Sequence, residues 1–222
     1  KSNLIYADAI YLKALCEKET ASPEAEKDLQ YFADNFKGHP KTNNAYFHLG
    51  DLAYAKSNYN DALAFFDKVD EKSLTGKDVT EFQYKRAFAN FALKKFSQAR
   101  MYFNQIAVNK KHPYNEEGYY YSGLSSYYLK DYNAAYKSFQ QLELSKKYGK
   151  IVPYYIASIK FINKDYKGVV DYAEPKLKEN VSYQNEITHL LGSSYNELKD
   201  YDKALYYLEK YTQNSAKVTP ED

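Results

Sequence analysis

Four histidines, one cysteine and a few neighbouring acids are the residues whose chemistry could serve catalysis or metal binding. His39, His48, His112 and His189 are scattered, no two at the i, i+4 spacing that puts two imidazoles on one helix face, and Cys16 is remote from His112 and His189. Neither a metal site nor a cofactor is expected. The acids that do cluster, Glu116-Glu117 and Asp67, Asp70 and Glu71, fall at expected helix starts or ends. There a negative charge complements the backbone dipole or is solvated, so none makes an acid/base pair. No glycine-rich phosphate loop, nucleophile elbow or kinase signature is present, and the eight glycines are accounted for by helix crossings and turns. The expectation is a protein that is not an enzyme.

The charge pattern excludes other classes. Thirty-one basic residues face twenty-nine acidic ones, for a formal net charge of +2, with the signs interleaved along the chain. Arginine, the bidentate donor suited to phosphate and base edges, occurs only at Arg86 and Arg100, so no nucleic-acid partner is expected. A single cysteine allows no intramolecular disulfide. The preceding Leu12-Lys13-Ala14-Leu15 is a poor lipoprotein cleavage site, and Cys16 is expected in the core. No apolar stretch approaches the roughly 18 residues of a membrane-spanning helix. The mean hydropathy of −0.75 is low, yet 27 Tyr and 12 Phe supply the apolar surface for an aromatic core.

Behind these residues lies a repeat. Asn58-Tyr59-Asn60-Asp61-Ala62-Leu63 aligns with Lys95-Phe96-Ser97-Gln98-Ala99-Arg100, with Asp131-Tyr132-Asn133-Ala134-Ala135-Tyr136 and with Asp200-Tyr201-Asp202-Lys203-Ala204-Leu205. Asp165-Tyr166-Lys167-Gly168-Val169 fills the remaining interval, giving a period of about 35 residues. Phe66, Phe103, Phe139 or Leu208 follows four residues after each alanine, and Val69, Ile106, Leu142 or Tyr211 three residues later, the stripe of an amphipathic helix. A second periodic segment precedes each step and carries a small residue, as in Leu49-Gly50, Arg86-Ala87, Ser122-Gly123, Ile156-Ala157 and Leu191-Gly192. Two helices per unit follow, crossing closely at the small residue. Asn60, Ser97, Asn133 and Asp202 are expected to cap the second helices.

The segment Asn43 to Asp70, with Tyr46, Leu49-Gly50, Tyr54, Tyr59, Ala62, Phe66 and Val69, resembles a tetratricopeptide repeat, and similar units run over 80–113, 116–149 and 185–218. The resemblance implies an all-α, right-handed superhelical solenoid of antiparallel helix pairs, about five to six repeats in one domain over 1–222. Its units would be 1–40 (divergent), 43–76, 80–113, 116–149, 150–184 (irregular) and 185–218. Pro175 is expected to end or kink the second helix of the irregular unit. The closing Thr219-Pro220-Glu221-Asp222 reads as the start of a further helix, which makes the chain a fragment of a longer one. The stretch Phe36 to Thr42 resembles the linkers of bacterial cell-envelope repeat proteins, such as outer-membrane assembly and Tol-Pal-associated ones. It implies a periplasmic or outer-membrane-associated location, with the cytoplasm the alternative.

In that family the first helix of each pair lines a concave groove that receives a protein or peptide. The equivalent positions here are Phe47 and Asp51, then Tyr84 and Phe88, then Tyr120, Leu124 and Tyr128, then Tyr154 and Ser158. The competing reading packs such rings between helices, above all Tyr54, Phe91, Tyr127 and Phe161. The Lys/Asn/Arg cluster of carboxylate-clamp members is absent, although Lys85, Arg86 and Lys160 could form a basic spot. The function expected is a non-catalytic interaction scaffold. Its alternatives are a glycan or small-ligand binder using exposed rings and an architectural self-assembly module, and the oligomeric state is left open.

Overall fold

Residues 2–215 are described by the structure, a computed structural model. Among them are twelve α-helices, a 3-10 turn at Glu71–Ser73 and no strand. The helices are α1 (Ser2–Glu19), α2 (Ala25–Asn35), α3 (Thr42–Ala55), α4 (Tyr59–Phe66), α5 (Lys77–Ala92), α6 (Phe96–Val108), α7 (Asn115–Tyr128), α8 (Tyr132–Gln140), α9 (Val152–Ile162), α10 (Tyr166–Lys178), α11 (Gln184–Glu197) and α12 (Tyr201–Ser215). The segment Thr219 to Asp222, expected to open another helix, lies outside the described residues.

The chain divides into two compact units, Lys1–Tyr121 and Ser122–Asp222, with the boundary inside α7. In the first unit α1 packs on α2, α3 on α4 and α5 on α6, while α2 leans on α3 and α4 on α5. In the second, α9 packs on α10 and α11 on α12, while α8 leans on α9 and α10 on α11. First helices also touch one another, α3 against α5 and α9 against α11. This is the all-helical hairpin stack that the sequence period implies.

Each hairpin reverses through one left-handed residue, Ala21, Ser57, Lys94, Lys130, Lys164 or Lys199, with φ between 53° and 64°. Two backbone bonds close the helix before it. The N–H of Lys130 donates to the carbonyl of Tyr127 and that of Asp131 to Ser126, both at 2.9 Å, and Lys164→Phe161 with Asp165→Lys160 repeats them. This pairing satisfies carbonyls that a helix end otherwise leaves open. The next residue then caps the following helix. Asn58 accepts from the N–H of Asp61, Asp131 from Ala134, Asp165 from Gly168 and Asp200 from Lys203. The caps thus stand two positions before the expected Asn60, Asn133 and Asp202, and Ser97 likewise lies inside α6. The reason is that the aromatic residue is itself the first helical position, and a cap must precede it to reach the N–H of the third. Among the second helices α2 and α6 lack such an acceptor, with Glu24 and Lys95 at their caps.

The small residue of the first helix fits under a bulky one sixteen positions later. A Cβ added at Gly123 would lie 2.7 Å from the Phe139 ring, and one at Gly192 would lie 2.8 Å from Leu208; Gly50 faces the Phe66 ring in the same way. Ala87 above Phe103 keeps the arrangement, with both fully buried. In the irregular hairpin the partner of Ala157 is only Ala173, and Val169 takes the alanine position. Pro175 does not end α10, which runs on to Lys178. It is exposed and one turn from the helix end, where water can take over the freed carbonyl. Cys16 is exposed, not core; the buried stripe of α1 is Ala7, Tyr11 and Ala14.

Two changes test these local rules. Gly50→Ala should destabilise by roughly 1–2 kcal/mol, overpacking outweighing the gain in helix propensity, with partial rescue by Phe66→Leu in denaturant unfolding. Lys164→Gly should stabilise by up to about 1 kcal/mol in the same assay, because glycine carries no Cβ penalty in the left-handed region.

Candidate functional site

The first helices of the first unit carry a chain of charges. Lys18 of α1 reaches Asp51 of α3 at 2.8 Å, Asp51 also binds Lys85 of α5, and Lys85 binds Glu81 at 2.8 Å. All four side chains are less than a fifth exposed. Burial pushes the Asp51 carboxyl up, but hydrogen bonds from Lys18 and Lys85 outweigh it and hold the group below its ordinary value. The Lys85 ammonium is raised for the matching reason, its bonds to Asp51 and Glu81 overcoming desolvation. His48 lies beside this chain, its Nδ1 buried without a hydrogen-bond partner. Burial and the Lys18 charge depress it from 6.5 to about 4.

Rings adjoin the charges. Tyr84 stacks on Tyr114 at 4.4 Å and packs edge-on to Phe103. Phe88 meets Tyr54, Tyr59 and Tyr121 at 5.3 to 6.1 Å. Burial raises the phenol of Tyr54, as it does that of Tyr11, which is pushed to about 12. In the second unit the wall is built of hydroxyls and rings. Tyr127 Oη and Ser158 Oγ are hydrogen-bonded at 2.9 Å, Tyr127 and Tyr155 pack edge to face at 5.7 Å, and Tyr154 lies 5.1 Å from Tyr183.

The expected groove residues separate under this geometry. Phe47 is 2% exposed and packed on Phe82, Leu124 is 6% exposed and Ser158 is 7% exposed, so these three are interior. Asp51 belongs to the charge chain; Tyr84 and Phe88 are half-buried against the core cluster of Ala87, Ala99, Phe103 and Ile106. Tyr120 is half-buried beside Tyr121, Tyr154 is half-buried, and Tyr128 is 54% exposed. Each cation of the expected basic spot has an acidic partner. Lys85 is neutralised by acids, Arg86 binds Asp67 at 2.9 Å, and Lys160 of the second unit binds Asp165 at 3.2 Å. The residues that the motif reading passed over are Lys18, His48 and Glu81. Lys18, Asp51 and Lys85 recur one repeat apart, so an alternation of sign at that spacing was the available signal.

Among the described residues no group of three His, Cys, Asp or Glu could hold a metal ion, and no helix is long and apolar enough to cross a membrane. Tetratricopeptide-repeat models match residues 22–73 and 189–217. Those two segments are tetratricopeptide repeats in sequence. Solved repeat structures share the fold at low identity. A MamA crystal structure superposes with a TM-score of 0.65 at 16% identity, over 80% of this chain and 93% of that one. YrrB, described as a TPR protein with an unusual peptide-binding site, gives 0.60 at 14%, over 76% and 84%. The TPR-like repeats of a putative kinesin light chain from Podosopora anserina give 0.58 at 15%, over 82% and 99%. No curated protein matches the sequence.

The histidine beside the repeats' charge chain makes stability depend on pH. The folded state keeps His48 neutral down to about pH 4, whereas the unfolded chain protonates near 6.5. Its contribution is therefore complete above pH 6.5 and is lost as pH falls toward 4. Between pH 7 and 5 wild type should lose roughly 2 kcal/mol more unfolding free energy than His48→Phe, measured by urea denaturation at both values.

Proposed function

We propose that this protein is a non-catalytic scaffold that holds a protein or peptide partner on the faces lined by the first helices of its hairpins. The observation that carries the reading is the half-open tyrosine wall of the second unit. Tyr128 is 54% exposed and Tyr183 44% exposed, with Tyr154 against Tyr183. Such rings give a large contact area at small entropic cost, and their hydroxyls can bond the carbonyls of an extended chain. The first unit adds Asp51, Tyr84, Phe88 and Tyr120, with charge balanced between Lys18, Asp51, Lys85 and Glu81. A balanced wall favours partners that read shape and ring contacts over those that demand one sign of charge.

The peptide-binding site named for YrrB supports this use of a shared fold. The cell-envelope setting is part of the same proposal and is supported by the linker Phe36 to Thr42. Tyr128→Ala with Tyr154→Ala should cut the partner recovered from native lysate by about tenfold or more while helicity and unfolding midpoint barely change. Undiminished recovery by the folded double variant would sink the reading.

A further inference from the structure

The hairpin formed by α5 and α6 breaks the repeat's rules twice, and both exceptions line one cavity. Arg86 stands where the other hairpins place Leu49, Ser122, Ile156 and Leu191. Lys95 stands where they place the cap acceptors Asn58, Asp131, Asp165 and Asp200. Each exception is unfavourable by itself: an arginine in a slot otherwise apolar or small must be desolvated, and a lysine cannot accept from the helix it precedes. The cavity has a volume of about 380 Å³ and is lined by Asp67, Arg86, Asn90, Lys95, Gln98 and Tyr102, with Leu63 at its side.

The side chains are poised for an anion. The Arg86 guanidinium lies 4.7 Å from the Tyr102 ring centroid, and its Nη2 binds Asp67 at 2.9 Å. Its Nε is buried with no hydrogen-bond partner. Asp67 is 66% exposed, so water competes for that ion pair. Lys95 makes no ion pair among the described residues, which leaves two cations facing one carboxylate. Asn90 is only 5% exposed and is fixed by a 2.8 Å bond from its amide to the Arg86 carbonyl. Gln98 adds a second amide. Donors from several directions suit a tetrahedral oxyanion, and the volume together with Tyr102 and Leu63 leaves room for an organic group.

We propose that this cavity binds the phosphate monoester of a small molecule, a site separate from the tyrosine walls and independent of any partner held there. The phosphate lies between Arg86 and Lys95, and its organic group rests on Tyr102 and Leu63. Calorimetry and thermal unfolding of the full chain at constant ionic strength, with inorganic phosphate, phenyl phosphate and chloride, test it. Phenyl phosphate should raise the unfolding midpoint beyond chloride and bind about tenfold tighter than inorganic phosphate. Arg86→Leu and Lys95→Asp, which install residues that other hairpins carry, should each remain folded and lose about tenfold or more in affinity. Lys95→Gln, which removes only the charge, should show the same loss. Equal responses to phosphate and chloride, or binding unchanged in the folded variants, would overturn the site. Inorganic phosphate binding as tightly as phenyl phosphate would overturn the organic subsite.

Discussion

Within three of the hairpins one side chain occupies the space that another residue has given up. Phe66 lies over Gly50, Phe139 over Gly123 and Leu208 over Gly192, at separations that leave no room for a Cβ. This contact sets how closely the two helices approach, and with it the direction of everything else on the first helix. A larger residue would push the pair apart and turn the outer face away from its neighbours. The left-handed turn residue and the cap beside it serve the same end. They fix the reversal so that a bulky side chain sixteen positions downstream returns to the small one. The period of about 35 residues is the length of chain needed for two such helices, their turn and the link to the next pair.

Given that frame, the first helices present whatever the sequence places on their outer stripe, and the two units use it differently. The first spends it on alternating charge, Lys18, Asp51 and Lys85, joined by Glu81. Removing Asp51 would leave two partly buried ammoniums with less compensation, so the chain of pairs is more costly to break than its net stabilisation suggests. The second spends it on hydroxyls and rings, with Tyr127 bonded to Ser158 and Tyr154 leaning on Tyr183. One face presents alternating, mutually paired charge, the other aromatic and hydroxyl surface.

Most of the fold was legible because it rests on short-range rules. The small residue of the first helix and the aromatic-to-alanine step of the second each mark a packing position, and both stand in the structure where the period puts them. The caps slipped by two because the sequence shows acceptors on both sides of the aromatic residue, and only backbone geometry decides which precedes the helix. The wall was less legible. Phe47 and Tyr128 hold neighbouring stripes of their helices, yet Phe47 is 2% exposed and Tyr128 54% exposed. What separates them is the helix packed alongside, which a periodicity does not contain. Cys16 was misread for a related reason, since residue type favours burial while its stripe on α1 faces outward.

Because each hairpin is stabilised by itself and its neighbours, an exception in one must be compensated close by. The irregular hairpin of α9 and α10 shows how. Ala173 supplies no ring above Ala157, and in this region tyrosine–carboxylate bonds tie the helices to their neighbours instead. Tyr172 donates to Glu143 at 3.1 Å, while Tyr195 and Tyr207, stacked at 5.7 Å, both donate to one oxygen of Glu174 at 2.6 and 2.8 Å. Burial first, and then these carboxylates, push all three phenols well above their ordinary range. The phenols therefore stay protonated and remain donors at any physiological pH. In this hairpin directional bonds to α11 and α12 take over part of what a buried ring does elsewhere, and the repeat tolerates a small residue at its most crowded position.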